Sequence, residues 1–377
     1  MPKKKTKCIG ILTAGGDCPG LNSAIRGVAK SAMHHGIKVI GVQDGFRGLV
    51  ENRFLNLDER AVSGILTLGG TILGSSRDKP HKMLMGDKVM DMTEVAVTNA
   101  KNMQIDCLVT LGGNGTQKNA HRLSKAGLNV ISLPKTIDND VWATDISFGF
   151  DTALNIATDA IDRLHTTATS HHRAIVCEIM GHDAGWLALG AGIAGGADVI
   201  LIPEIPYDLN IVAEHLHNRR RHGKRFSIIA VAEGIRSIQE VNQDPESESK
   251  KKKAKEAKEA EKFKTKDGLT LVQEPTASRV ARELQQLTGI DARVTSLGHV
   301  QRGGSPTATD RLLCTRLGTR VGELLVEGNY NVMVAVRGNE CVPIPLEEVA
   351  GKKKLVPQDH QWINCGKLVE TCFGDAL

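Results

Sequence analysis

Two stretches of this 377-residue chain repeat one arrangement that few folds accommodate: a short apolar run, a pair of glycines and the start of a helix. The first passes from Cys8-Ile9-Gly10-Ile11-Leu12 through Thr13-Ala14-Gly15-Gly16-Asp17-Cys18-Pro19-Gly20. It then enters Leu21 to Gly36, where Leu21, Ile25, Val28, Ala29 and Ala32 recur with helical period. The second passes from Cys107-Leu108-Val109-Thr110-Leu111 through Gly112-Gly113-Asn114-Gly115-Thr116 into another helix. Successive N–H groups in such turns, with the positive end of the following helix, form a concavity suited to an anion. Neither turn is GxGxxG or GxxxxGK[ST], so neither a dinucleotide fingerprint nor a P-loop is indicated. Taken singly, each also reads as a plain tight turn.

A third loop has the same setting. Val130-Ile131-Ser132-Leu133 reads as a buried strand, and Pro134-Lys135-Thr136-Ile137-Asp138-Asn139-Asp140 follows it. In an open α/β sheet, ligands bind outside the carboxyl ends of the strands. Two carboxylates two residues apart, after a cation and a hydroxyl, suit a divalent metal or the deprotonation of an alcohol. An Asx-rich turn is the plainer reading of the heptapeptide alone. Between the two glycine turns lie a strand at Lys38–Val42, a loop at Gln43-Asp44-Gly45-Phe46-Arg47-Gly48 and the glycine and hydroxyl loop Gly69–Arg77. The cation Arg77 ends that last loop and suits phosphate oxygens. A helix near Asp91–Met103 precedes the second glycine turn.

Composition narrows the class. Thirty-nine glycines and 3% aromatic residues suit a glycine-looped α/β enzyme better than a β-sandwich. The apolar stretch Trp186–Pro203 is broken by glycines and Asp198, and no apolar leader follows the opening lysines, so a soluble protein without signal peptide or membrane association is expected. Eight scattered cysteines with no CxxC pair suggest neither zinc site nor disulfide framework and fit a reducing cytoplasm. The net charge of +5 comes from two segments: residues 250–266 contribute +6, and Lys3, Lys4, Lys5 and Lys7 contribute +4. The remainder is acidic, which is no basic groove for nucleic acid.

The order of these motifs, with Met180-Gly181 and Gly298-His299-Val300-Gln301-Arg302-Gly303-Gly304, resembles the 6-phosphofructokinases from about residue 8 to Cys365. The resemblance implies two similar Rossmann-like α/β domains, each with three αβα layers and mostly parallel sheets. Residues 1–149 with 300–350 would form the phosphoryl-donor domain. Residues 150–299 with 351–377 would form the fructose 6-phosphate domain, with the cleft between the two. A charged insertion at about 242–266, rich in Ala, Lys and Glu, allows an exposed helix or a mobile surface segment.

The same resemblance implies phosphoryl transfer to the 1-hydroxyl of fructose 6-phosphate, a reaction that needs positioning and charge neutralisation more than covalent help. Asp138 matches the general base, and Thr136 and Asp140 flank the transferring group and its Mg²⁺. Gly15, Gly16, Phe46, Arg77, Gly113, Asn114, Gly115, Thr116 and Lys135 fall in the donor set. Arg173, Met180, Gly181, His182, Glu233, His299 and Arg302 fall in the sugar-phosphate set. Arg293 matches an arginine supplied across a subunit interface, which implies a homodimer or homotetramer. Candidate metal oxygens are those of Asn114, and of Asp138 and Asp140 through water.

Two positions bear on the donor. Gly115, where pyrophosphate enzymes of the family carry Asp, leaves room for ATP; Lys135, where many ATP enzymes carry Gly, points to pyrophosphate. The glycine is given more weight, because a missing side chain admits a bulky ligand whereas a lysine suits either donor's phosphates. Two departures stand out. Asn114 replaces a usual metal-binding aspartate, and His182 replaces a usual phosphate-binding arginine. These leave a non-catalytic sugar-phosphate-binding regulator as the remoter alternative, against which Thr136, Asp138 and Asp140 stand intact. Another sugar phosphate acceptor also remains open.

Overall fold

A computed structural model describes residues 6–242 and 274–375. The charged insertion, Asn242 apart, lies outside the described residues. The chain folds into two compact units, Met1–Ile156 with His299–Leu355 and Ala157–Gly298 with Val356–Leu377.

The first unit is built on a seven-stranded sheet, β13-β12-β7-β6-β1-β2-β3. Its strands are β1 (Cys8–Thr13), β2 (Lys38–Val42), β3 (Phe54–Asn56), β6 (Cys107–Gly112), β7 (Val130–Pro134), β12 (Val332–Arg337) and β13 (Glu340–Pro345). A separate hairpin pairs β4 (Met83–Met85) with β5 (Lys88–Met90). The five central strands are parallel, and the edge strands β3 and β13 run antiparallel. Every residue of β1, β6 and β7 is buried, which is why these strands read as unbroken apolar runs in the sequence.

The helices Leu21–His34 and Ala308–Glu327 pack closely on each other through glycines. A Cβ on Gly318 would lie 2.5 Å from the backbone of Gly27, and one on Gly27 would lie 2.9 Å from the carbonyl of Cys314. Only a residue without a side chain lets the two backbones approach so far.

The second unit carries a four-stranded parallel sheet, β11-β8-β10-β9, from β8 (Ala174–Ile179), β9 (Val199–Leu201), β10 (Ser227–Ala232) and β11 (Ala292–Ser296). β8, β9 and β10 are apolar and largely buried, whereas the edge strand β11 exposes Arg293, Val294 and Ser296. No helix among the described residues is long and apolar enough to cross a membrane.

Candidate active site

In the first unit the chain leaves β1 toward β2 on one side, then returns to place β6 and β7 on the other. The gap between β1 and β6 is therefore the point where strand order reverses, and a crevice forms there outside the carboxyl ends. All three anion or acid loops open at it. Ala14 N donates to Leu111 O (3.0 Å) and Lys135 N to Gly112 O (3.1 Å), so the loops after β1, β6 and β7 are stitched in sequence across the sheet.

The Gly69–Arg77 loop is fastened beside the first turn. Gly15 N donates to Ser76 O (2.9 Å), Ser75 Oγ donates to Gly15 O (2.6 Å), and Asn22 Oδ1 accepts from Ile72 N (2.8 Å) while its amide reaches Leu68 and Gly69 carbonyls. Beyond Arg77, Asp78 takes a bidentate grip from Arg47 (2.9 and 3.1 Å). Gly15, Gly16, Thr71, Ser75, Arg77, His299 and Arg302 together line a concavity of about 390 Å³. Thus His299 and Arg302, on the 3₁₀ turn Gly298–Arg302, face the same space as the donor residues.

Two cations converge on the Gly15-Gly16 turn. A Cβ on Gly16 would fall 1.8 Å from Arg302 Nη1, and one on Gly15 would lie 3.7 Å from Lys135 Nζ. The Lys135 ammonium, only 4% exposed, donates to the Gly16 carbonyl, and burial lowers its pKa. Arg302 Nε is buried with no partner among the described residues, a donor left for an anionic group. Across the crevice, a Cβ on Gly113 would sit 3.3 Å from Lys135 O, whereas one on Gly115 would meet nothing within 4 Å. Thr116 is buried, its hydroxyl directed to Ala14 O (3.4 Å).

The loop after β7 is internally braced. Thr136 Oγ1 accepts from Asp138 N (3.1 Å), Ser147 Oγ donates to Thr136 O (2.8 Å), and Asn139, in the left-handed region at φ 50°, accepts from Ser147 N (3.1 Å). Asp140 accepts from the Asn114 amide at its carboxylate (2.7 Å) and its carbonyl (3.1 Å). Burial, and then the charge of Asp138, push the Asp140 carboxyl up to about 6. Asn114 Oδ1 is buried without a partner among the described residues. Asn114 therefore carries no charge but leaves an oxygen beside the Asp140 carboxylate. Among the described residues no three His, Cys, Asp or Glu converge as a closed metal cage. The set fits a hard cation that keeps most of its ligands from water and phosphate.

In the second unit, Met180, Gly181 and His182 follow β8, and Glu233 follows the adjacent β10. Glu233 N donates to Ile179 O (3.1 Å), and Glu233 Oε1 accepts from His182 N (2.7 Å). Gly181 adopts φ 152° with Ala184 O 2.5 Å from where a Cβ would stand, so a side chain is excluded there. The His182 imidazole is half exposed and lies 3.0 Å from Asp183.

One placement stands apart, and one local reading is corrected. Arg173 does not stand with Met180, Gly181 and Glu233. It precedes β8, and with Arg293 on β11 it shares the carboxylate of Asp291 (2.6 and 3.2 Å), at the amino ends of these strands. The length of β8 separates the two groups by about 20 Å. Phe46 is not in a loop: Gly45–Val50 is a short helix, and the residue is 1% exposed, packed in the hydrophobic core.

Residues 8–325 match the sequence pattern of the phosphofructokinase family. The chain belongs to the phosphofructokinase family. Among its relatives, the ATP-dependent 6-phosphofructokinase of Propionibacterium freudenreichii subsp. shermanii is 54% identical over 97% of this chain and 99% of its own. That of Spirochaeta thermophila is 53% identical over the full length of both. The crystal structure of Pichia pastoris phosphofructokinase in the T-state superposes with a TM-score of 0.76 at 31% identity. It covers 92% of this chain, which spans about a third (35%) of the yeast chain.

Within this phosphofructokinase, two further residues brace the loop after β7 and the helix that follows it, and neither stands out in the sequence. Lys354 Nζ donates to Asn139 Oδ1, Thr144 O and Asp145 O. Asp310 is fully buried and accepts from Gly149 N (2.8 Å) and Thr152 N (2.9 Å), fixing the start of the helix Phe150–His171. Both contacts join residues more than 150 positions apart, and neither side chain sits in a motif.

Proposed function

We propose that the chain transfers the γ-phosphoryl group of ATP to the 1-hydroxyl of fructose 6-phosphate, as the names of its relatives suggest. The observation that carries this is the stitching of Gly15-Gly16, Gly113–Thr116 and Thr136–Asp140 at one strand-order reversal, with Arg302 packed on Gly16. Asp138 takes the hydroxyl proton as the O1–P bond forms and the bond from Pγ to the ADP oxygen breaks. Backbone N–H groups of the glycine turns, with Arg77, hold the donor phosphates and balance charge that spreads over the transferring oxygens. Asn114 Oδ1, and Asp138 and Asp140 through water, would hold Mg²⁺, which would supply positive charge against that of the phosphates.

ATP is favoured over pyrophosphate by two local facts. Space beside Gly115 is open for the nucleotide, and Lys135 is already buried against the Gly16 carbonyl rather than left as a free cation. Met180, Gly181 and Glu233 would border the sugar, with His299 and Arg302 serving its phosphate. Arg173 and Arg293, a strand length from Met180 and Glu233, reach the same sugar phosphate only from another copy of the chain, so the active form is a homo-oligomer. A cytoplasmic setting agrees with eight unpaired cysteines. Initial rates of the purified protein with ATP and with pyrophosphate, each with fructose 6-phosphate and Mg²⁺, test the reading. Turnover with ATP well above that with pyrophosphate is expected; turnover with pyrophosphate alone would overturn the donor, and binding without turnover would overturn the reaction.

A further inference from the structure

The segment between Thr136 and Gly149 carries the proposed base and has neither helix nor regular strand to hold it. Its shape depends on a left-handed residue, Asn139, placed between Asp138 and Asp140. Rotation at that one residue would swing both carboxylates.

A strap from the end of the first unit closes over this segment. Lys354 N donates to Asp140 O (2.9 Å), and Val141 bridges Lys353 in antiparallel fashion. The Lys354 ammonium then reaches under the loop to Asn139 Oδ1 (3.0 Å), Thr144 O (3.0 Å) and Asp145 O (2.8 Å). An ammonium has three donors, and these three acceptors engage all of them. The opposite margin of the loop is held by β12: Asp145 N donates to Val336 O (3.0 Å), Val336 N to Thr144 Oγ1 (2.9 Å) and Gly338 N to Asp145 Oδ2 (2.7 Å). The loop is thus clamped between strand and strap, and the Lys354 ammonium ties Asn139 to the Thr144-Asp145 margin.

We propose that Lys354 is a positioning residue for phosphoryl transfer, fixing the left-handed turn at Asn139 and through it the carboxylates of Asp138 and Asp140. The inference rests on the reading of Thr136–Asp140 as the catalytic loop. A charge placed there for substrate would keep donors free; this one has its donors turned onto the protein. Loss of the ammonium would leave the Thr144 and Asp145 carbonyls without this donor and Asn139 Oδ1 held by Ser147 N alone. The base would then be held to looser than the half-ångström tolerance that such sites need.

The test compares Lys354→Met and Lys354→Gln with Lys352→Met, a substitution on the same strap at a lysine whose ammonium lies over the exposed Trp142 ring (6.0 Å) and bonds none of Asn139, Thr144 and Asp145. Steady-state kinetics with fructose 6-phosphate and ATP are read beside the thermal unfolding of each variant. A misplacement of about 1 Å predicts a kcat about 100-fold lower for Lys354→Met. KM for fructose 6-phosphate should stay within about threefold and unfolding should remain cooperative, while Lys352→Met keeps parental kcat. Lys354→Gln, with a shorter neutral donor, should fall in between, and it serves alone if the methionine variant does not fold. A folded variant at Lys354 with kcat within about twofold of the parent would overturn the inference, as would a rise in KM without a fall in kcat. If Asp138→Asn also keeps its activity, the catalytic-loop reading has failed; if Asp138→Asn is inactive while the Lys354 variants are not, only the positioning role has.

Discussion

Arg302 Nη1 occupies space that a side chain on Gly16 would need: a Cβ there would lie 1.8 Å from it. Residues 286 positions apart are thus packed so that the cation rests on the backbone of the first glycine turn. The turn presents N–H groups, the guanidinium presents a planar fork, and both suit the same phosphate oxygens.

Gly16→Ala should therefore act on catalysis and spare the fold. The clashing atom is the far end of a flexible side chain, which can swing away without moving the backbone. We expect the unfolding temperature to change by less than about 4 °C, the upper shift that about 1 kcal/mol gives a chain of about 150–250 residues, larger chains shifting less. kcat/KM should fall by about 100-fold, the scale seen when one charge-stabilising donor is lost. Calorimetry and steady-state kinetics on the same preparation decide it, and parental activity in a folded variant would contradict the arrangement.

Gly318→Ala should do the reverse. Its Cβ would meet Gly27 backbone at 2.5 Å, and neither helix backbone can yield locally. Overpacking of this kind costs about 1–3 kcal/mol. The variant should unfold at lower denaturant, while the folded fraction keeps the parental KM for both substrates.

A pH-dependent prediction concerns the anchor of the Arg77 loop. The Arg47 guanidinium holds the Asp78 carboxyl below the ordinary carboxylate range, against the opposing pull of burial. A carboxylate whose folded pKa is depressed adds stability that is present above its unfolded pKa and is lost as pH falls through the folded one. Arg47→Met should thus destabilise the protein at pH 7 by about 1–2 kcal/mol, partial exposure keeping it below a buried pair. The difference between variant and parent should shrink as pH falls below about 4. Unfolding curves at several pH values read it directly, and a difference that stays constant down to about pH 2.5 would contradict the ion pair's role.

Much of the framework was legible because the strands beneath the site are buried on both faces. Lys38–Val42 and Ser227–Ala232 have the bounds that their apolar runs indicate, and β1, β6 and β7 run only one residue further. The glycine turns and the acid loop follow from those ends. The helix at Phe46 is hidden because six residues, two of them glycines, carry no helical period, and the burial of Phe46 depends on neighbours distant in sequence. The separation of Arg173 from Met180 depends on which end of β8 each occupies, and its pairing with Arg293 depends on β11 lying beside β8. Strand order of that kind is a property of the sheet, absent from any local pattern. Lys354 stood in a run of three lysines that reads as a solvated surface, and only the fold turns one of them inward.

The account's central claim is that Asp138 is the base of a catalytic loop held at the β1–β6 reversal. It is tested most directly by turnover of Asp138→Asn with saturating ATP, Mg²⁺ and fructose 6-phosphate, read beside equilibrium binding of the sugar phosphate. The account predicts a kcat lower by about 10²–10⁴-fold, the range for loss of a positioned general base, with sugar-phosphate affinity changed by less than about threefold. A folded Asp138→Asn protein turning over at near the parental rate would contradict it.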